Sequence, residues 1–312
     1  MKTQTYYTAL LCCALATTTV EASLSLTLNF SDTGANYSSL NNDTWDGSTT
    51  DFDKKSVFED AVQAAASRWE HAFTDSTQNL AFTINVGWEA KSGSTLATGG
   101  PSWNTSAGNP ITSASLNWDN DGSSTFYVDS DTSTSSEWAK FASSSQDFGG
   151  GSINIERTYY NAAASSAARD HSDLYTVALH EIGHTLGVVG GYPNYDSLDI
   201  GNDGDLDLNG GSEIPYLGGH TNFTIGTPEY VDTNTFLFPN DGESIGATYN
   251  PSVLSSTIVT GIRKDLTAAD ILIVAGIHGF DNINTSIVPE PSSSSLLAFA
   301  GATLLLRRRR SK

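Results

Sequence analysis

The chain has 312 residues, of which 38% are hydrophobic and 16% charged, so it can bury the core of one large domain or of two lobes. Its 35 acidic and 15 basic side chains give a formal charge of −20 at pH 7. Such a surface repels nucleic acid and anionic membranes and attracts cations, so we expect no nucleic-acid partner.

The first 22 residues are typical of a secretory signal peptide. A basic residue precedes an apolar stretch over residues 6–16, which leads to the small-residue cleavage pattern Val20-Glu21-Ala22. Both cysteines of the chain, Cys12 and Cys13, lie inside this segment. We therefore predict a signal peptide over residues 1–22 and an exported protein that has no disulfide and no thiolate metal ligand.

Hydrophobic periodicity predicts a mixture of strands and helices in the first half of the chain. Alternating apolar residues predict a strand over residues 23–30. Apolar residues at helical spacing predict a long helix over residues 55–73, with Ser56 as its cap. Later segments are typical of strands, or of strands mixed with long loops beside a cleft: residues 80–88, 91–147 and 152–160.

The sequence LHEIGHTLG, residues 179–187, carries the side chains most directly tied to chemistry. On a helix, His180 and His184 lie four residues apart on the same face, so their two imidazoles can bind one Zn²⁺. Glu181 can then reach the metal-bound water and act as its general base. This spacing predicts the core of a zinc hydrolase.

Capping signals delimit two helices in the second half of the chain. Ser172 or Asp173 can cap the helix that carries the histidines, and Gly187 can end it. A last helix is predicted over residues 267–277, with Thr267 as its cap. We expect the chain between these two helices to be mostly loop.

An acidic loop follows the histidine motif. Four aspartates are spaced as in a calcium loop, with Gly204 at the turn: Asp199, Asp203, Asp205 and Asp207. Gly201 and Gly210, however, replace two oxygen ligands of that pattern. The sequence leaves two interpretations, a calcium site that Glu213 completes and a solvated acidic turn.

The C-terminal segment, residues 287–312, resembles the PEP-CTERM sorting signal of bacteria. It contains Val288-Pro289-Glu290-Pro291, an apolar stretch over residues 296–306 and a run of four arginines, residues 307–310. As a helix the apolar stretch would rise about 16 Å, well short of a hydrocarbon core of about 30 Å. The resemblance implies an exosortase-type partner, transient membrane association through this segment, and a location in the bacterial cell envelope, on the cell surface or in the extracellular matrix. An ordinary tail anchor is the alternative.

The histidine motif resembles the active-site helix of the metzincin metallopeptidases. The longer metzincin pattern adds a third histidine ligand, whose place is taken here by Gly190. The resemblance implies that another group completes the zinc site, and His220, in a glycine-rich loop, is the best candidate. The other candidates are an acid or no third protein ligand at all, the acids being Asp196, Asp199 and Glu213.

A second metzincin-like element is a turn beneath the zinc that normally carries methionine. Residues 251–256 resemble this turn, with Leu254 in the place of the methionine. The resemblance implies an α+β, metzincin-like zincin over residues 23–286. We expect a mixed, mostly β upper lobe on two long helices, an active-site helix, and a loop-rich lower lobe with a final C-terminal helix.

Three functions are compatible with these features. The first is a secreted zinc metalloendopeptidase that hydrolyses a protein or peptide substrate, with Glu181 as general base and with Zn²⁺, and Ca²⁺ if the acidic loop binds it, as cofactors. The second is an inactive zincin-fold surface or matrix protein, suggested by Gly190 and Leu254. The third, a carbohydrate-binding module suggested by the six tryptophans, is weakest, since Trp69, Trp88 and Trp118 lie in or beside predicted core elements.

Overall fold

The computed structural model describes residues 24–41, 51–74, 78–106, 108–129, 132, 135, 138–162, 167–208, 210–224, 231–232 and 250–285. The predicted signal peptide (1–22) and the predicted sorting signal (287–312) lie outside these residues. Within them the protein is α+β, as predicted, with more strand than helix. The helices found in the described ranges are too short or too polar to cross a membrane.

The helical elements of the described residues are α1 (Asp51–Ala72), α2 (Ala167–Asp170), α3 (Leu174–Thr185), α4 (Pro193–Asp196), α5 (Ala268–His278) and a short 3-10 helix (Tyr37–Ser39). The strands of the first half are β1 (Leu24–Phe30), β2 (Leu40–Asn41), β3 (Leu80–Glu89), β4 (Ala97–Trp103), β5 (Ile111–Asp119), β6 (Phe126–Tyr127), β7 (Trp138–Asp147) and β8 (Ser152–Ala162). Those of the second half are β9 (Ser172–Asp173), β10 (Asp205–Asp207), β11 (Glu213–Leu217), β12 (His220–Thr221), β13 (Val231–Asp232) and β14 (Ile262–Lys264).

One four-stranded sheet has the strand order β1-β3-β5-β4. β1, β3 and β5 are parallel, whereas β4 runs antiparallel to β5 at the edge of the sheet. Burial alternates along β1 as the sequence predicts, since Leu24 and Leu26 are buried and Ser25 is exposed. The sheet packs against α1 and against α3, the helix that carries the histidine motif.

Smaller sheets complete the described fold. β13-β7-β8-β14 is an antiparallel sheet, β2-β6-β9 is a set of short parallel pairings, and β10-β11-β12 is an antiparallel sheet after the histidine motif. The segment after Gly191, which the sequence predicted as mostly loop, therefore contains short strands. Their two- to five-residue lengths explain why no periodicity revealed them.

The predicted long helix α1 starts earlier than expected. It begins at Asp51, so Ser56 lies inside the helix and the prediction that Ser56 caps it is wrong. Near its other end, the buried Trp69 donates its indole N–H to the Leu179 carbonyl at 2.9 Å and so joins α1 to α3.

Asp173 fixes the start of α3, the helix that carries the histidine motif. Its carboxylate accepts a hydrogen bond from the Thr176 N–H at 3.1 Å, so Asp173, one of the two predicted caps, is the residue that caps the helix. The buried Arg263 binds Asp173 at 2.8 Å and Asp129 at 2.7 Å. Because all three charges are buried, losing one of them would leave its partner uncompensated. The ion pairs therefore hold the first turn of α3 in place.

The final helix α5 carries the predicted N-terminal signal in full. Thr267 caps it, and the Asp270 carboxylate accepts a hydrogen bond from the Thr267 N–H in a reciprocal capping box. Gly279 ends the helix in the left-handed region, with φ 70°. α5 therefore begins at a fixed point directly after β14.

The acid stability of the protein depends in part on His278, at the end of α5. Burial lowers the pKa of His278 to about 4, although its ring N–H donates to the Leu186 carbonyl at 2.7 Å. Between pH 6.5 and 4 the folded state therefore binds fewer protons than the unfolded state. The stability contribution of this side chain is complete above pH 6.5 and is lost as the pH falls towards 4.

A His278→Gln variant, which keeps a donor for Leu186, is expected to lose less stability than the wild type as the pH is lowered. Urea unfolding at about pH 7 and about pH 5 measures this difference in the free energy of unfolding. Equal losses in the two proteins would show that His278 makes no contribution.

Candidate metal centre

Three histidines converge at one side of α3. His180 and His184 lie on the helix and His220 on β12, and their ring nitrogens all lie within 4.8 Å of one another. His180 and His184 are buried and His220 is half-buried. These three side chains are close enough to bind one metal ion.

Backbone carbonyls fix the tautomers of the two helical histidines. The Nδ1–H of His180 donates to the Val253 carbonyl at 2.8 Å, and the Nδ1–H of His184 donates to the Val188 carbonyl at 2.6 Å. Both Nε2 atoms consequently carry lone pairs, and they lie only 3.0 Å apart. Two lone pairs that face each other in a buried site repel unless a cation lies between them, so this donor pair fits a metal ion.

Burial keeps all three imidazoles neutral. It lowers the pKa of His184 to about 4, lowers that of His180 well below its ordinary value, and also lowers that of His220. A metal ion would therefore meet no competition from protons at neutral pH, because the ligating form of histidine is the neutral one.

A tight hairpin brings His220 to the helix. β11 and β12 pair with His220 opposite Leu217, joined by the turn Gly218-Gly219. A Cβ at Gly219 would lie 2.9 Å from the Val188 carbonyl oxygen, so glycine allows the hairpin to approach the end of α3 this closely. The nearest atoms to a Cβ at Gly190 belong to Gly218, at 3.7 Å. The hairpin that carries His220 thus lies beside the position where the metzincin pattern has its third histidine.

The acidic alternatives for a third ligand have other contacts. Asp196 accepts from the Gly191 N–H, Asp199 accepts from the Asp203 N–H and the Tyr216 hydroxyl, and Glu213 is exposed. Within the described part of the chain, the three histidines are the only group of three or more candidate ligands found close enough to share a metal.

Leu254, the predicted equivalent of the methionine, lies next to α3. It is fully buried, and a Cβ added at Gly183 would lie 2.3 Å from its Cδ2 atom. The leucine therefore contacts α3 at the glycine between the two histidines. The preceding residue, Val253, supplies the carbonyl that binds His180.

Glu181 faces the cavity beside the histidines. Its carboxylate lies 4.0 Å from His180 Nε2 and accepts a hydrogen bond from the Gly99 N–H of β4. Burial raises the pKa of Glu181 to about 7, whereas the Gly99 bond and the Lys91 ammonium act in the opposite sense. A divalent cation bound by the histidines would also lower the pKa of Glu181. The carboxylate would then be ionised at neutral pH and able to accept a proton.

The close approach of β4 to α3 requires glycine at position 99. A Cβ at Gly99 would lie 2.2 Å from the Glu181 carbonyl oxygen, whereas one at Gly100 would meet nothing within 4 Å. Gly99→Ala is therefore expected to cost about 1–3 kcal/mol of stability and to move the N–H that binds Glu181. Gly100→Ala, the matched control, is expected to be nearly neutral.

Thermal unfolding of the two variants measures this difference. If Gly99→Ala and Gly100→Ala unfolded at the same temperature as the wild type, the strand and the helix would not be in the contact described.

A cavity of about 850 Å³ opens over the three histidines and Glu181. Residues 94–99, from β4 and the segment before it, line this cavity, and so do residues 256–258. His171 also lines this cavity, a position that the sequence did not predict. It lies two residues before Asp173, the cap of α3.

The aspartates of the acidic loop mostly serve the loop itself. Asp207 accepts from the Ile200 N–H at 2.9 Å, and Asp203 accepts from the Asp205 N–H at 3.3 Å. These four aspartates are not brought together as a ligand set in the described structure. A calcium site here stays a prediction from the sequence alone.

Three neutral imidazoles beside a carboxylate suit Zn²⁺ better than Ca²⁺ or Mg²⁺, which prefer oxygen ligands. Catalytic zinc sites commonly use three protein ligands and leave the fourth position open. No family model, curated protein or solved structure matches the chain, so the choice of metal depends on this donor set.

Proposed function

We propose that the protein is a secreted zinc-dependent endopeptidase of metzincin-like fold. The observation that carries the proposal is the convergence of His180, His184 and His220, with Glu181 adjacent to them. The orientation of the two helical Nε2 atoms towards each other supports a bound cation rather than a structural hydrogen-bond network. A carboxylate next to three histidine ligands suits metal-dependent peptide hydrolysis, in which the metal keeps one position open and the carboxylate acts as general base.

When bound, Zn²⁺ would supply Lewis-acid chemistry, which polarises the scissile carbonyl and makes water easier to deprotonate near pH 7. Glu181, held by the Gly99 N–H, takes a proton from the attacking water. As the carbon–nitrogen bond breaks, Glu181 passes that proton to the leaving amine. His180 and His184 keep their orientation because Val253 and Val188 bind their Nδ1–H groups.

The sheet edge at the cavity supports a peptide as the substrate. β4 is an edge strand of the β1-β3-β5-β4 sheet, and its residues Ala97, Thr98 and Gly99 line the cavity. An extended peptide can add to such an edge through main-chain hydrogen bonds, largely without regard to its side chains. We assign this role to β4, which would place the scissile bond next to the Glu181 carboxylate.

We place the enzyme outside the cytoplasm, in the bacterial envelope or the extracellular matrix. This assignment rests on the sequences of residues 1–22 and 287–312, which resemble an export signal and a sorting signal. An exosortase-type enzyme would act on the second segment.

Metal content and proteolysis test the proposal together. Purified full-length protein is expected to contain about one tightly bound zinc per chain, to cleave unfolded casein, and to lose cleavage on chelation. Adding Zn²⁺ back should restore it. Bound zinc without cleavage of casein or of a peptide library would favour an inactive zincin-fold surface protein, and failure to bind zinc would reject the metal centre.

A further inference from the structure

We propose that Lys264 is a positioning residue of the metal centre. Its ammonium group fixes the segment 250–257, here called the orienting loop, and this loop in turn orients both His180 and His220. The inference rests on the proposed function, because it concerns how the same metal site is held in shape.

The orienting loop contacts the His180 side chain directly and contacts His220 through the neighbouring residue Thr221. The Val253 carbonyl binds His180 Nδ1 at 2.8 Å. The Leu254 carbonyl accepts from the Thr221 N–H at 3.1 Å, directly after His220 on β12. Asn250 adds a hydrogen bond from its side-chain amide to the Thr221 carbonyl at 2.7 Å. A shift of the loop would therefore move two ligands relative to His184.

Lys264 lies at the centre of this loop and is fully buried. Its Nζ donates to the carbonyls of Asn250 at 3.0 Å, Ser252 at 3.1 Å and Thr257 at 3.0 Å, and it also binds the Ser255 hydroxyl. These four acceptors span the loop from its first residue to its last. An ammonium group has three N–H donors, which these four acceptors share, so one nitrogen links distant points of the loop.

Asp270 holds the same loop through its own side chain. Its Oδ1 accepts from the Leu254 N–H at 3.3 Å and from the Ser252 hydroxyl. Burial lowers the pKa of Lys264 to about 7, while the negative charge of Asp270 acts in the opposite sense and favours the charged form. A buried charge is costly unless it is paired and hydrogen-bonded, so an arrangement this complete indicates a site that must keep one shape.

The test compares Lys264→Met with Glu156→Met, which removes another fully buried charged side chain from a different place, strand β8. Two measurements are made on each full-length protein, zinc affinity by competition with a chelator and amide hydrogen exchange of the metal-free form. Lys264→Met is expected to bind zinc about 10–100-fold more weakly, the usual cost of losing a residue that orients a ligand. The amides of Leu254 and Thr221 should also exchange faster, relative to the global unfolding rate.

Glu156→Met is expected to lower stability while leaving zinc affinity and loop exchange as in the wild type. The absorption spectrum of the Co²⁺-loaded proteins should differ from wild type in Lys264→Met alone. Wild-type zinc affinity and wild-type loop exchange in a folded Lys264→Met would overturn the inference.

If Lys264→Met does not fold, Ser255→Ala replaces it. This variant removes one acceptor and keeps the charge, and it is expected to bind zinc several-fold more weakly with faster exchange at Leu254. No change in either quantity would also overturn the inference. A wild-type protein that binds no zinc would instead reject the proposed function, while the loop exchange of the metal-free proteins would still report on Lys264.

Discussion

Replacing Glu181 with glutamine is expected to abolish peptide hydrolysis while leaving zinc bound. The glutamine amide has nearly the same shape and can still accept the Gly99 hydrogen bond, but it cannot take a proton from water. Because general base catalysis contributes about 10²–10⁴-fold, the turnover number should fall by at least that factor. Zinc content per chain and the rate of peptide cleavage, measured on the same preparation, check the two halves of this result.

The matched control is Glu213→Gln, which makes the same chemical change at an exposed acid of β11. It is expected to cleave at the wild-type rate and to bind zinc normally. That outcome would also remove Glu213 from the candidate ligands. Turnover that survives in Glu181→Gln would mean that another group takes the proton, and the assignment of Glu181 as general base would fail.

Replacing His220 with alanine is expected to weaken zinc binding by more than the about 10–100-fold that loss of an outer-shell partner costs. The remaining pair, His180 and His184, cannot fill the three protein positions of a catalytic site. Cleavage should be lost with the metal and should return only in part at high zinc concentrations. Isothermal titration of the metal-free protein with Zn²⁺ measures the change in affinity.

His71→Ala is the control for His220→Ala, since His71 is an exposed histidine on α1. It should leave both the affinity and the stoichiometry unchanged. If His220→Ala bound zinc as tightly as the wild type, the third ligand would be an acid or would not come from the protein, and Asp196 and Asp199 would be the next residues to replace.

The parts of the site that the sequence predicted are those that local spacing determines. His180, Glu181 and His184 lie within two turns of one helix, so the four-residue interval alone places both imidazoles on one face. The caps Asp173 and Thr267 are local in the same way, because their side chains bind amides three residues further on. The alternation of β1 reports burial on one face of a sheet.

What the sequence could not provide depends on contacts between distant segments. No local pattern reveals that the turn Gly218-Gly219 lies against the segment that follows α3. The sequence could therefore favour His220 as the third ligand but could not show that it lies near His180 and His184. Lys264 reads in the sequence as an ordinary basic residue between Arg263 and Asp265, yet it is fully buried among carbonyls of the orienting loop. The false cap at Ser56 has another cause, since helix boundaries are weakly encoded and residues 51–55 continue α1.

A metal ion bound at the proposed site would also cross-link the hairpin that carries His220 to α3. His184 and His220 are separated in sequence by α4, β10 and β11, so an ion that binds both closes a long loop of chain. Closing such a loop restricts the unfolded chain, which is how a disulfide stabilises an extracellular protein. The two cysteines lie in the predicted signal peptide, so the exported chain would have the metal as its cross-link. Zinc bound after export would then hold the β11–β12 hairpin against α3. Removing the zinc would be expected to destabilise the hairpin and to abolish the proposed hydrolysis.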